Sequence, residues 1–152
     1  TYRRLVSDLD NNSVVVLGFQ PKDKKEYGLL EIDQDKVSKI TEWKYWKDYP
    51  PERQAQLSVC NSGIYAMQRK ELVRFLPVLA QRPQIVTKTI DGRPTEIEEF
   101  FITDIVEYMA ADGLSIGYVL TEDETETMGV DDPIALATAQ KLYAQGERRV
   151  KT

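Results

Sequence analysis

Apolar positions along the 152 residues change their period repeatedly, and each change marks an element. Val14-Val15-Val16-Leu17-Gly18-Phe19, following Ser13, is a continuous β-branched run, the pattern of a strand buried on both faces of an α/β sheet. Gly28 to Asp33 and Lys36 to Trp43 read as two short strands joined at Gln34-Asp35. Leu57 to Met67 reads as another strand, and Gly63 inside it predicts a bulge or a close backbone approach. From Arg69 to Ala80 the spacing of Leu72, Phe75, Leu76 and Leu79 predicts an amphipathic helix, which Pro77 kinks or shortens. Gln84 to Ile90 alternates, meets Asp91-Gly92 and resumes to Glu98. That is a hairpin pattern, because both central positions of so tight a turn need positive φ.

Thr103 to Asp112 predicts a helix with Ile105, Val106, Met109 and Ala110 on one face and Gly113 at its C-terminal cap. Leu114 to Leu120 predicts a short strand. Asp132-Pro133 opens a last helix, with Asp as N-cap and Pro at the first helical position; its apolar face is Leu136, Ala139, Leu142 and Tyr143. Between these lie a polar start, Thr1 to Asn12, read as the end of a helix, and a charged loop from Pro21 to Glu26. Pro50-Pro51 marks either a loop or a helix start. Residues 147–152 read as a frayed tail. Strands and helices alternate with hairpins inserted, so the expected fold is α/β with a mixed sheet, one domain or part of one over residues 1–146.

Charge and composition then remove whole classes of function. Twenty Lys and Arg against twenty-five Asp and Glu leave a net charge of −5, which argues against a nucleic-acid or membrane-surface footprint. No run of eighteen apolar residues exists to span a bilayer. The chain has no His, which removes Ser-His-Asp triads, Cys-His pairs and His-ligated metals together. Its single Cys, Cys60, allows no internal disulfide and fits a reducing compartment. Thr1 is not Met and no signal-peptide core follows it, so the chain is expected to begin within a longer protein.

Chemistry is left to carboxylates, amides, hydroxyls, Lys and Arg, and three places stand out. Glu42-Trp43-Lys44 ends a strand; the carboxylate suits sugar hydroxyls and the ammonium suits a phosphate, or the two form an edge charge pair beside a packing Trp. Asn61-Ser62-Gly63 interrupts an apolar strand, and the amide needs partners from either the backbone or a ligand. In Gly129-Val130-Asp131-Asp132-Pro133, Asp132 has a capping task while Asp131 has none. A lone carboxylate at such a junction suits Mg²⁺, which takes one or two carboxylates plus phosphates and water. Cys60, with no base nearby in sequence, reads as a buried inert thiol.

Six segments in order carry a resemblance: Glu26-Tyr27-Gly28, Ile40-Thr41-Glu42-Trp43-Lys44, Pro51-Glu52-Arg53-Gln54, Asn61-Ser62-Gly63-Ile64-Tyr65, Phe100-Phe101-Ile102-Thr103-Asp104 and Gly129-Val130-Asp131-Asp132. Together, over residues 14–143, they resemble the second half of a sugar-1-phosphate nucleotidyltransferase domain, and within that family the bacterial N-acetylglucosamine-1-phosphate uridylyltransferases. The resemblance implies a Rossmann-like fold, present in part, and a cytoplasmic, Mg²⁺-dependent enzyme joining UTP and N-acetylglucosamine 1-phosphate. It implies that Gly28, Glu42 and Asn61 hold the N-acetylhexosamine, that Thr103 lies beside the sugar phosphate, and that Asp131 is a metal ligand. No residue is assigned to covalent catalysis; positioning and charge neutralisation carry such transfers.

The chain departs from the family pattern at Asp131, where Asn is usual, at Phe100-Phe101 for a pair of tyrosines, and at Glu98 for Gly. The stretch from Gln81 to Ile97 is longer than the family's and adds the Asp-Gly hairpin. Nothing matches a glycine-rich phosphate cradle or the Gly-Asp-x-Pro segment with the other metal ligand. The nucleotide-binding half is therefore expected outside this chain, which alone should turn over nothing. A non-catalytic module binding a sugar nucleotide or another protein is the rival reading. Cut strand edges also predict an oligomer or a swapped pair.

Overall fold

The structure, a computed structural model, describes residues 1–121 and 123–150, with residues 146–150 in backbone only. In chain order the elements are α1 (Tyr2–Ser7), β1 (Val14–Phe19), β2 (Leu29–Asp33), β3 (Lys36–Thr41), α2 (Trp43–Trp46), α3 (Pro51–Gln56) and β4 (Cys60–Met67). Then follow α4 (Arg69–Ala80), β5 (Gln84–Ile90), β6 (Arg93–Glu99), α5 (Asp104–Ala111), β7 (Ile116–Leu120) and α6 (Pro133–Val150). They divide into two compact units, Thr1–Thr121 and Glu122–Thr152. The first unit ends with β7, ahead of an acidic stretch.

In the first unit a five-stranded mixed sheet has the order β3-β2-β4-β1-β7. β1 is wholly buried, antiparallel to β4 and parallel to β7, as its unbroken apolar run predicts. Val14 and Val16 face Phe75 and Leu79 of α4 and Ile105, Val106 and Met109 of α5. Val15 and Leu17 face the other way, onto Leu5 of α1. Burying five such side chains, at roughly 1.5–3 kcal/mol for each large one, anchors the middle of the sheet. The β2–β3 hairpin turns on Gln34 and Asp35, both at positive φ, and brings β3 against α5 and β7. A third cluster of Phe19, Leu29, Trp46, Leu57 and Cys60 closes the end of the sheet nearest α2.

Several boundaries differ from the sequence reading, among them the start of β7 at Ile116 and not Leu114. The strand expected to reach Trp43 ends at Thr41, because one helical turn lets Trp46 bury its ring and donate its indole N–H to the Tyr27 carbonyl at 2.8 Å. The strand expected from Leu57 begins at Cys60. α4 keeps its full predicted length despite Pro77, and Val73, whose carbonyl loses that helical partner, is exposed to water. β5 and β6 form a separate two-stranded ribbon whose turn has φ of 50° at Asp91 and 75° at Gly92, as Asp-Gly requires.

The second unit holds a short 3₁₀ turn, Glu124–Thr127, and α6. Asp132 caps α6, its Oδ1 accepting from the Ala135 N–H at 2.7 Å, as predicted. Of the expected apolar face, Ala139 and Leu142 are half-buried, whereas Leu136 and Tyr143 are exposed. α6 continues to Val150; residues 151 and 152, the end of the stretch read as a frayed tail, lie outside the described residues. Among the described residues no helix is long and apolar enough to cross a membrane.

Candidate functional site

Four segment ends meet on the first unit. Gly28 is buried just before β2, Glu42 immediately precedes α2, Asn61 lies in β4 and Thr103 immediately precedes α5. The Asn61 N–H donates to the Gly28 carbonyl at 2.8 Å, tying β4 to the start of β2. Over Gly28 lies the Glu42 carboxylate: a Cβ at position 28 would stand 3.3 Å from Glu42 Oε2 and 3.3 Å from Ile40 Cγ2. Glycine is what permits that approach. From the far side, Thr103 Oγ1 donates to Glu42 Oε1 at 2.9 Å across 61 positions of chain.

The Asn61 amide sits at the bulge that Gly63 foretold. β4 shifts register against β1 between Val16 and Gly18, and Gly63 takes φ 77°. Two amides that leave the ladder there are satisfied locally, Gly63 N–H by Asn61 Oδ1 at 3.1 Å and Ile64 N–H by Ser62 Oγ at 3.2 Å. Asn61 Nδ2 donates to the Tyr65 hydroxyl at 2.8 Å, and that hydroxyl lies 3.1 Å from Asn61 Oδ1. The side chain of Asn61 thus stabilises the bulge, as one of the two readings of the amide expects.

Tyr65 was not singled out from the sequence, although four residues after Asn61 it falls on the same face of a strand. Burial pushes its phenol up to about 12; the bond with Asn61 pulls the other way, and the negative charge of Glu42 adds to the rise. Glu42, Asn61 and Tyr65 are thus one electrostatic neighbourhood.

Lys44, read either as a phosphate partner or as one half of an edge charge pair with Glu42, makes contacts with Gln84 and two aromatic rings. Its ammonium donates to Gln84 Oε1 at 3.0 Å and lies over the rings of Tyr45 and Phe101 at 4.7 and 4.8 Å. Gln84 in turn donates to Asp104 Oδ2 at 2.7 Å, latching the base of the β5–β6 ribbon to the start of α5. The Pro51-Glu52-Arg53-Gln54 segment is structural: Gln54 Nε2 donates to the carbonyls of Lys47 and Tyr49, and Arg53 pairs with Glu31. That pair lines a cleft of about 390 Å³ that includes none of the predicted site residues. Cys60 is fully buried.

Asp131 lies in the second unit, before α6, its Oδ2 3.0 Å from where a Cβ on Gly129 would stand. The convergence described above is that of the other four residues. Among the described residues no three carboxylates or thiols gather at metal-binding distance.

Solved structures share this architecture. A nucleoside-diphosphate-sugar pyrophosphorylase from Vibrio cholerae superimposes with a TM-score of 0.50 at 15% identity, over 74% of this chain and 40% of that one. A Bacillus anthracis protein assigned as a glucose-1-phosphate thymidylyltransferase, solved with sucrose, gives 0.55 at 20% identity, over 92% of this chain and 48% of that one. The fold is therefore the Rossmann-like α/β fold of the sugar nucleotidyltransferases, present in part.

In sequence the chain is similar to bifunctional protein GlmU. It is 30% identical over 151 residues to that of Cereibacter sphaeroides, covering 99% of this chain and 29% of the relative. To that of Azorhizobium caulinodans it is 34% identical over 141 residues, covering 92% and 27%. The chain thus spans about three tenths of the length of the curated relatives it matches. These relatives bear out the resemblance read from the six segments. No family model matches the chain.

Proposed function

We propose that this chain is the sugar-phosphate-binding part of a cytoplasmic, Mg²⁺-dependent uridylyltransferase. The whole protein joins UTP and N-acetylglucosamine 1-phosphate, giving UDP-N-acetylglucosamine and pyrophosphate, with the nucleotide-binding part outside this chain. One observation carries the reading. Gly28, Glu42, Asn61 and Thr103, from four separate segments, lie together: the Asn61 N–H donates to the Gly28 carbonyl at 2.8 Å, Thr103 Oγ1 donates to Glu42 Oε1 at 2.9 Å, and Glu42 Oε2 lies 3.3 Å from where a Cβ on Gly28 would stand.

In that reading the sugar lies against β4 and the start of α2. Glu42 Oε2 accepts a sugar hydroxyl, the remaining Nδ2 hydrogen of Asn61 meets a carbonyl or hydroxyl oxygen, and Gly28 lets the ring approach the backbone. A phosphate oxygen of the sugar phosphate then attacks the α-phosphate of UTP in line, and pyrophosphate leaves. The chain's own part is to hold the nucleophile's parent sugar still. Asp131 fits Mg²⁺ by donor type: a single hard carboxylate, in a chain without His and with its one Cys buried, matches an ion completed by phosphates and water. When bound, the ion neutralises phosphate charge.

The test is turnover by the whole protein that carries this chain and by the 152-residue chain alone, with UTP, N-acetylglucosamine 1-phosphate and Mg²⁺. The whole protein is expected to release pyrophosphate and the isolated chain none. In the whole protein, Glu42→Ala and Asn61→Ala are each expected to raise KM for the sugar phosphate about tenfold or more, the loss of a charged or buried hydrogen bond, while KM for UTP stays put. Activity in the isolated chain, or unchanged sugar KM in both variants, would overturn the assignment.

A further inference from the structure

Thr103 and Glu42 both stand where a side chain ordinarily caps a helix, and neither does so. Thr103 occupies the N-cap of α5 and Glu42 that of α2, yet no side-chain capping bond forms at either. The start of α5 does not need one. Its first amides are already bonded, Asp104 N–H to the Phe101 carbonyl, Ile105 N–H to Ile102 and Val106 N–H to Thr103, at 3.0 to 3.2 Å. The threonine hydroxyl is thereby released, and it turns to Glu42.

That contact is one-sided in a useful way. A hydroxyl has a single proton, and the proton of Thr103 is given to Glu42 Oε1. Thr103 is 7% exposed and β-branched, so its χ1 is held by packing and stiff by nature. Glu42 has three flexible torsions and is half-buried, and with Oε1 pinned its other oxygen is fixed above Gly28. Oε2 itself takes no hydrogen bond from the described residues.

We propose that Thr103 is a positioning residue: it sets the rotamer of Glu42, making Oε2 the recognition atom for a sugar hydroxyl, and gives no hydrogen bond to the phosphate. This rests on the sugar-binding reading above and deepens it. It also separates two roles that proximity alone leaves together, because a phosphate contact and a carboxylate clamp respond differently to the ligand.

The experiment compares Thr103→Val, Thr103→Ser, Glu42→Gln and the Thr103→Val/Glu42→Gln pair in the whole protein, titrated with N-acetylglucosamine and, separately, with its 1-phosphate. Thr103→Val is expected to weaken both ligands by the same factor, about tenfold, as loss of one charge-assisted bond implies. The pair is expected to lose no more than Glu42→Gln alone. Thr103→Ser, which keeps a hydroxyl, is expected to stay within about threefold of the parent, a fraction of that bond's worth. Loss confined to the phosphorylated ligand, factors that multiply in the pair, or a serine variant as weak as the valine one would each overturn the proposal. A crystal structure of the valine variant, or of the serine one should valine not fold, gives a readout free of binding. Glu42 is expected to leave Gly28 in the valine variant and to stay in the serine one, and the reverse in either overturns the clamp. Failure of the parent protein to bind either sugar, with Glu42 displaced in the valine variant, would instead sink the sugar reading and leave the clamp standing.

Discussion

Removing one oxygen, by Tyr65→Phe, gives the sharpest physical test of the network around Asn61. The phenol is raised from 10.0 to about 12, chiefly by burial, with the Glu42 charge adding and the Asn61 bond opposing. In the unfolded chain the same phenol titrates near 10. The sign follows from linkage: a group whose folded pKa is raised contributes its stability in full below pH 10, and loses it as pH climbs through 10 to 12. At pH 11 the unfolded phenol is about nine-tenths ionised and the folded one about one-tenth, a loss of roughly 1 kcal/mol once the water contact that the ring keeps is allowed for.

Phenylalanine has no such titration, but it leaves the donor of Asn61 Nδ2 without the 2.8 Å partner it has in the parent, at a cost of about 1 kcal/mol. Urea unfolding of parent and variant at pH 8, 9, 10 and 11 should therefore show the variant less stable by about 1 kcal/mol at pH 8, with the gap closing to about zero at pH 11. Taking the difference cancels the chain's other tyrosines and lysines. A gap constant across that range would refute the assignment of a buried, Glu42-facing phenol. Glu42→Gln supplies the control: removing that charge should lower the phenol's titration slightly in an ultraviolet absorbance experiment, with burial still holding it raised.

Three further outcomes are expected. Gly28→Ala places a methyl 3.3 Å from both Glu42 Oε2 and Ile40 Cγ2, so thermal melting should fall by a few degrees, about 1 kcal/mol of overpacking, with a rise in sugar-phosphate KM in the whole protein. Gly63→Ala meets no neighbour within 4 Å but must hold φ 77°, so its cost of about 1 kcal/mol in urea unfolding should be purely conformational, and Gly63→Asn should recover part of it. β4 is bonded along β1 but joins β2 only around Leu29 and Cys60, through the Asn61–Gly28 and Leu30–Val59 bonds, so among the described residues the rest of that edge has no ladder partner; light scattering of the isolated chain at micromolar concentration should show self-association.

Local rules were enough to read most elements from the amino-acid order. Asp91-Gly92 needs positive φ at two successive positions, Asp132-Pro133 can hardly do other than start a helix, and an unbroken Val-Val-Val-Leu run has nowhere to go but the middle of a sheet. The six short segments carried the family resemblance in the same way, each readable within five residues. What no local rule contains is which segments become neighbours. That Glu42 would meet Thr103 across 61 residues, that Tyr65 would join them, and that Lys44 would be drawn to Gln84 and Phe101 depended on how β2, β4, α2 and α5 pack. Hydrogen bonds and charges act over a few ångströms in space and are blind to distance along the chain, so the site exists only once the sheet has brought those ends together.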